Sequence, residues 1–287
     1  MASLKEVKGR IASVNNTRKI TSAMKMVASA KLHKAQAAIE SMLPYERRLH
    51  HILTDFMSNC TEVESPFIVK REVKRVAIVV FASNTSLCGG FNANVIRHLV
   101  DLLAEYKPLG LENILVFPVG KKVADAVRKL GFRIEGDFQH MADKPSYQEA
   151  ADLAADLMKR FLHGDVDKVE LLYNHFKSTA SQILTRETYL PIDLNNEKKE
   201  EERTIDYILE PSAEELMQEM LPKVLRMKMF TVLLDSNAAE HAARTMAMQI
   251  ATDNANELLQ ELTVMYNKSR QQSITNELLD IVGGSMA

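Results

Sequence analysis

Cysteine occurs only twice in the 287 residues, at Cys60 and Cys88. That is too few for a disulfide framework or a four-thiolate metal site, and a reducing compartment is the simplest setting. Nowhere do about 18 apolar residues run together, so the sequence holds no membrane-spanning segment. The amino terminus, MASLKEVKGRIASVNNTRK, lacks the apolar centre of a secretory signal. Any membrane role is therefore expected to be peripheral or to pass through partners. Lys and Arg number 36 against 38 Asp and Glu, a formal charge of −2, which excludes a general polyanion binder. None of the eight histidines falls in an H-x-x-x-H or H-E-x-x-H pattern.

What the chain does have is an ordinary globular mixture, 46% hydrophobic and 26% charged, long enough for one to three structural units. From Leu4 a seam runs through Val7, Ile11, Val14, Thr21, Ala28, Leu32, Ala35, Ile39, Met42, Leu49, Leu53 and Phe56. Steps of mostly three and four define one packing face of a long helix and predict a coiled coil. Arg18 and Lys25 interrupt the stripe, and Pro44 is expected to kink the helix. A second seam starts at Leu225 and continues through Met229, Val232, Ser236, Ala239, Ala243, Met246 and Ile250, then deteriorates into Asp253, Glu257, Gln260, Asn267 and Gln271. Helices of this length cannot be enclosed by a compact domain, so the economical arrangement is an antiparallel pair. Ser236, Ala239 and Ala243 are expected to allow close approach near Ala28 and Ala35.

Between the helices the pattern changes. VAIVVF, Val76–Phe81, is a short apolar run suited to a buried parallel strand. Residues 92–106, 121–130 and 148–162 read as helices, residues 113–119 and 169–176 as strands, and residues 183–190 as an edge strand. This alternation predicts a Rossmann-like α/β domain inserted between the terminal helices. The division is residues 1–60 for the first coiled-coil helix, 74–194 for the α/β domain, 195–208 for a flexible connection and 209–287 for the second coiled-coil helix. NNEKKEEER, in the connection, offers no apolar anchor.

Chemistry is scarce. SLCGGFN, residues 86–92, is glycine-rich but has neither dinucleotide-binding nor P-loop spacing, and reads as a tight strand-to-helix turn. Cys88 has no paired base and reads as a buried, inert thiol. YNHFKS, residues 173–178, ends a strand with polar groups, where α/β proteins often bind ligands, but a structural strand end with its own loop hydrogen bonds is the plainer reading. Charge is unevenly spread. Residues 1–39 hold eight Lys or Arg against one Glu, and residues 212–287 hold six against ten Asp or Glu. Opposite signs suit two helices lying lengthwise together. Nucleic-acid binding is disfavoured, because the cations share a helix with a hydrophobic seam and lack aromatic neighbours. Methionine, 15 in all, fills changing gaps at low steric cost. Met24 is expected near the free end of the rod.

Four segments, IASVNNTRKITSAMKMVASAKLHKAQ, SLCGGFN, YNHFKS and EHAARTMAMQIATDNANELLQELTVMYNKSRQQSITNELLDIVGG, in this order, resemble the gamma-subunit family of F-type rotary ATP synthases. The resemblance spans both terminal helices and turns of the central domain. It implies a non-catalytic rotor shaft without cofactor. The paired helices would enter a hexamer of alpha and beta subunits, and the α/β domain would rest on the epsilon subunit and the membrane c-subunit ring. With no transit segment at the amino terminus, the expected setting is peripheral, at the cytoplasmic side of a bacterial inner membrane, in preference to an unprocessed mitochondrial precursor; a mature organellar chain is the alternative. Carried over residue by residue, it marks Met24 with neighbouring Lys25, and Arg244, as contacts to the lower loop of the catalytic subunit, and Gln271 and Thr275 as contacts to a catch loop higher on the shaft. One departure is Asn84-Thr85-Ser86, where many family members carry Asp-Arg-Gly, which puts a local salt bridge or anion contact in doubt. The competing readings are an enzyme with a Rossmann-like domain, which needs a catalytic pocket, and a coiled-coil adaptor without rotary function.

Overall fold

The terminal segments form the longest elements because each presents a continuous stripe of small and apolar side chains to the other. The computed structural model describes residues 4–59, 65–192 and 213–285; Cys60 and the 195–208 connection lie outside the described residues. Helix α1 covers Leu4–Asn59 and continues through Pro44, and helix α6 covers Ala213–Ser285. Their partners run in opposite directions. Arg18 Nη1 donates to Asn256 Oδ1, the Thr21 and Thr252 hydroxyls meet, and Leu32 and Ala35 pack with Ala238 and Ala242. The pair is therefore antiparallel. On this register Leu4 falls opposite about residue 270, so the last turns of α6 extend past the start of α1.

The α1 stripe buries Val7, Thr21, Ala28, Leu32 and Ala35. Arg18 and Lys25 stay half-buried in line with it, and the Arg18 guanidinium reaches across to Asn256. The side chains of Leu53 and Phe56 are outside those described. The α6 stripe differs from expectation in phase. Beyond Ala243 an inward stripe at three-four spacing runs through Thr245, Met248, Thr252, Ala255, Leu259, Leu262, Tyr266, Ser269 and Ser273, with Arg244, Met246, Ala247, Gln249 and Ala251 half-buried beside it near the domain, so the seam does not deteriorate but lies on a neighbouring face. Ile250, Asp253, Glu257, Gln260, Val264, Asn267 and Gln271 are exposed. The cause is the segment just before. From Phe230 to Ala243 nearly every residue is buried, so hydrophobicity carries no phase there, and the true phase restarts beyond it.

The inserted unit is a five-stranded sheet in the order β3-β2-β1-β4-β5. Strands β1 (Val76–Phe81), β2 (Ile114–Val119), β3 (Arg133–Ile134) and β4 (Lys168–Ser178) are parallel, and β5 (Ser181–Leu190) pairs antiparallel with β4. Every residue of β1 and β2 is buried, as expected of central strands covered on both faces. Val76, Ile78 and Val80 face α2 (Phe91–Tyr106) and α3 (Lys121–Lys129), meeting Val95, Leu99 and Val127. Ala77, Val79 and Phe81 face the other way, toward Leu153, Leu157 and Phe161 of α5 (Tyr147–His163) and Leu221, Met229 and Leu233 of α6. The short α4 (Gln139–Asp143) precedes α5. Helix α6 is thus both half of the coiled coil and one wall of the domain core.

Candidate functional site

In an open parallel sheet the ligand crevice lies beyond the carboxyl ends of the strands, where strand order reverses. Here that point is between β1 and β4, and α6 lies across it. Ala239 and Ala243 pack against Cys88 and Phe91. This corrects the expectation that those alanines face α1; the close approach to α1 is made by Ala238 and Ala242. Gly89, at φ +59°, brings the turn so near that a β-carbon there would lie 3.8 Å from Ala247 Cβ. A cavity of about 280 Å³ remains, lined by Gly89, Gly90, Asn94, Asn174, Met246 and Ile250 among others. No charged or histidine side chain lines it, so it holds no acid–base pair. Among the described residues no group of three or more His, Cys, Asp or Glu side chains is placed to hold a metal ion.

The turn from β1 into α2 is built from side-chain hydrogen bonds. Ser83 Oγ donates to the Thr85 carbonyl at 2.7 Å, and Asn92 Nδ2 donates to Ser83 Oγ at 2.8 Å. Cys88 is buried beneath them. Asn84 accepts from the Lys121 amide through Oδ1 and donates to the Gln139 carbonyl through Nδ2, both at 2.8 Å. The neutral Asn-Thr-Ser triplet therefore ties the turn to α3 and α4 without a salt bridge.

The sequence-marked residues fall in two groups. Thr21 faces Thr252, so Met24 and Lys25, one turn on, sit at the level of Met248 to Ile250, beside the Gly89 turn. Met24 is thus about 30 Å from the start of α1, at the root of the rod and not at its free end. It is 42% exposed, and Lys25 is half-buried. Arg244 lies at the same root, facing the turn: Nη1 donates to the Ser86 carbonyl at 2.5 Å and Nη2 to Thr85 Oγ1 at 2.9 Å. Gln271 and Thr275 are exposed near the other end, with Thr275 Oγ1 donating back to the Gln271 carbonyl. The structure does not bring the two groups together.

Further contacts seat the domain on α6. The Asp235 carboxylate accepts from the Phe176 amide at 2.8 Å and meets His175 Nδ1 at 2.6 Å. Asn237 Nδ2 donates to the Ala142 carbonyl, and Tyr189 OH to the Leu225 carbonyl. The polar end of β4 serves this docking, in line with the structural reading of that strand end. Nothing in the spacing of Asp235 or Asn237 announces it, since their partners lie 59 and 95 residues away. Elsewhere Glu170 is buried between Lys168 and Arg186 and accepts from Tyr106 OH. Burial alone would raise its pKa, but hydrogen bonds from Arg186, Lys168 and Tyr106 hold it below the ordinary carboxylate value. This network joins β4, β5 and α2, away from the turn.

The family model described as ATP synthase matches residues 3–287. The ATP synthase gamma chain of Phocaeicola vulgatus is 83% identical, and that of Bacteroides fragilis 66% identical, each alignment covering all of both chains. Among solved structures, a chain of the Euglena gracilis mitochondrial ATP synthase in rotational state 3 aligns with a TM-score of 0.64 at 19% identity, covering 99% of this chain and 93% of that one. A chain from the central stalk and c-ring of the Tetrahymena thermophila enzyme aligns at 0.55 and 23% identity, covering 81% and 99%. At these identities the solved structures speak to the fold.

Proposed function

The chain belongs to the gamma-chain family of ATP synthases, and we propose that it is the central shaft coupling ion-driven rotation of a membrane ring to ATP synthesis or hydrolysis at a catalytic hexamer. The observation that carries this reading is the dual use of α6. One 73-residue helix forms a wall of the inserted domain, lies across that domain's ligand crevice, and then runs on as half of an antiparallel rod. A fold that hosts ligand chemistry elsewhere here grips an axle, and the chain has no catalytic role of its own.

The rod supplies asymmetry. A shaft can bias three otherwise equivalent subunits only if each meets a face of different interaction energy, because equal contacts shift no equilibrium. The two helices offer different faces: α1 carries most of the cations, and exposed Ile20, Met24, Val27, Ile250, Val264 and Ile274 add apolar ground on both. In this reading residues 1–60 and 209–287 form the shaft and residues 74–194 the foot. The shaft enters the alpha–beta hexamer and the foot meets the epsilon subunit and the c-ring. Met24 and Lys25 form the lower contact group and Gln271 and Thr275 the upper, while Arg244, marked with the lower group by the resemblance, turns inward to Thr85 and Ser86. The chain would work at the cytoplasmic face of the bacterial inner membrane, held there by partners. No helix among the described residues is long and apolar enough to cross a membrane.

The test is assembly with and without the chain. Co-expressed with the other subunits, it is expected to purify in one complex whose ATP hydrolysis drives ion uptake into inverted vesicles. A complex that forms without it and still pumps overturns the proposal.

A further inference from the structure

We infer that Arg244 is a positioning residue that clasps the turn at residues 85–90 to α6, and that it serves coupling through this clasp and not by touching another chain; its bearing on coupling rests on the shaft reading above. Besides its bonds to Ser86 and Thr85, the guanidinium donates from Nε and Nη2 to Glu240 Oε1, one turn back on the same helix. Four of the five guanidinium N–H groups thus have partners inside the chain. The side chains of Arg244 and Glu240 are 17% and 9% exposed, so the positive charge is neutralised where it sits. An approaching carboxylate would have to displace an existing partner to be bound in the two-pronged manner that suits arginine.

The turn needs such a clasp. Leu87 has φ +70° and is the one described non-glycine residue with positive φ, a conformation that persists only when its surroundings impose it. Its own side chain is 59% exposed and so is not what holds it. The constraint comes from its neighbours: the Ser86 carbonyl and Thr85 hydroxyl held by Arg244, and the buried Cys88 seated on Ala239 and Ala243. Alanine packing is non-directional and resists sliding poorly. The arginine adds directional bonds from the rod to the turn that closes β1 and opens α2. Load passing between foot and shaft meets this joint, and the clasp keeps it from slipping.

The experiment compares Arg244→Ala, Arg244→Lys and a crosslinked rescue in the assembled complex in inverted vesicles, reading ions pumped per ATP hydrolysed. The Ala variant is expected to lose about fivefold, within the range for residues that modulate coupling without touching a ligand. Arg244→Lys should lose as much, since a single ammonium cannot reproduce the fork that spans Ser86, Thr85 and Glu240. In the Ala background, Gly89→Cys with Ala247→Cys places two thiols at a β-carbon spacing suited to a disulfide, at the cost of a non-glycine residue at φ +59°. Oxidation should restore coupling and reduction abolish it, with the bond verified by peptide mass. The inference is overturned if Arg244→Ala or Arg244→Lys couples normally, or if the protein with the verified disulfide stays uncoupled. A parent complex that hydrolyses ATP without pumping would instead sink the shaft reading.

Discussion

The hydroxyl oxygens of Thr21 and Thr252 lie 2.8 Å apart across the seam between the terminal helices. Each hydroxyl also donates within its own helix, Thr21 to the Arg18 carbonyl and Thr252 to the Met248 carbonyl. Two protons serve three contacts, so the layer trades a bond between helices against one within a helix. It is a polar pin in an apolar stripe, and it sets register as buried polar layers do in coiled coils. Replacing either Thr by Val should cost about 1 kcal/mol, which speeds amide exchange around Thr21 in the assembled complex about fivefold. The double replacement should cost less than the two single ones together, because it leaves no hydroxyl without its partner. Additive effects would contradict the pairing.

Met24 is exposed at the rod's root beside Lys25. Met24→Lys should leave the fold intact, since nothing packs tightly over the side chain, and should lower the ions pumped per ATP hydrolysed by adding a cation to a contact surface that must be released during each turn. An unchanged ratio removes Met24 from the contact surface.

Much of this architecture was legible in the chain. Continuous apolar runs such as Val76–Phe81 mark central parallel strands, and the three-four rhythm marks both long helices. The illegible parts have physical causes. β3 is only Arg133 and Ile134, too short for a period. The α6 seam loses its phase where Phe230 to Ala243 is buried on all sides, which also hides that Ala239 and Ala243 serve the turn while Ala238 and Ala242 serve α1. The resemblance marks Arg244, but its bonds go to Thr85 and Ser86, some 158 residues away, and no local spacing encodes that contact.

His241 is buried, and its Nδ1 has no hydrogen-bond partner but lies 3.9 Å from Glu240 Oε2. Burial lowers its pKa, Glu240 and Asp143 oppose the shift, and Lys31 and Arg244 add to it. The folded ring is neutral while the unfolded one takes up a proton near its ordinary value of about 6.5. Stability should therefore be present above that value and fall as the pH drops from it toward the lower folded pKa. His241→Gln should flatten the thermal stability of the purified complex as the pH falls below about 6.5. A variant with the parent's slope assigns the acid sensitivity elsewhere.

Gly120, between β2 and α3, has φ +116°, and a β-carbon there would overlap the Ala82 carbonyl oxygen. Because the obstacle is backbone, no rotamer relieves it. Gly120→Ala is expected to cost about 3 kcal/mol or more and to reduce recovery of assembled complex. Normal yield and melting temperature would contradict the β1–β2 placement at that turn.

The most direct measurement is rotation itself. With Cys60→Ser and Lys107→Cys the foot carries one accessible thiol, since Cys88 is buried and Lys107 is exposed. A bead attached there, on a complex immobilised through its hexamer, should turn in one direction when ATP is added and stop when it is exhausted. ATP consumed at the normal rate while a firmly attached bead stays still would contradict the account.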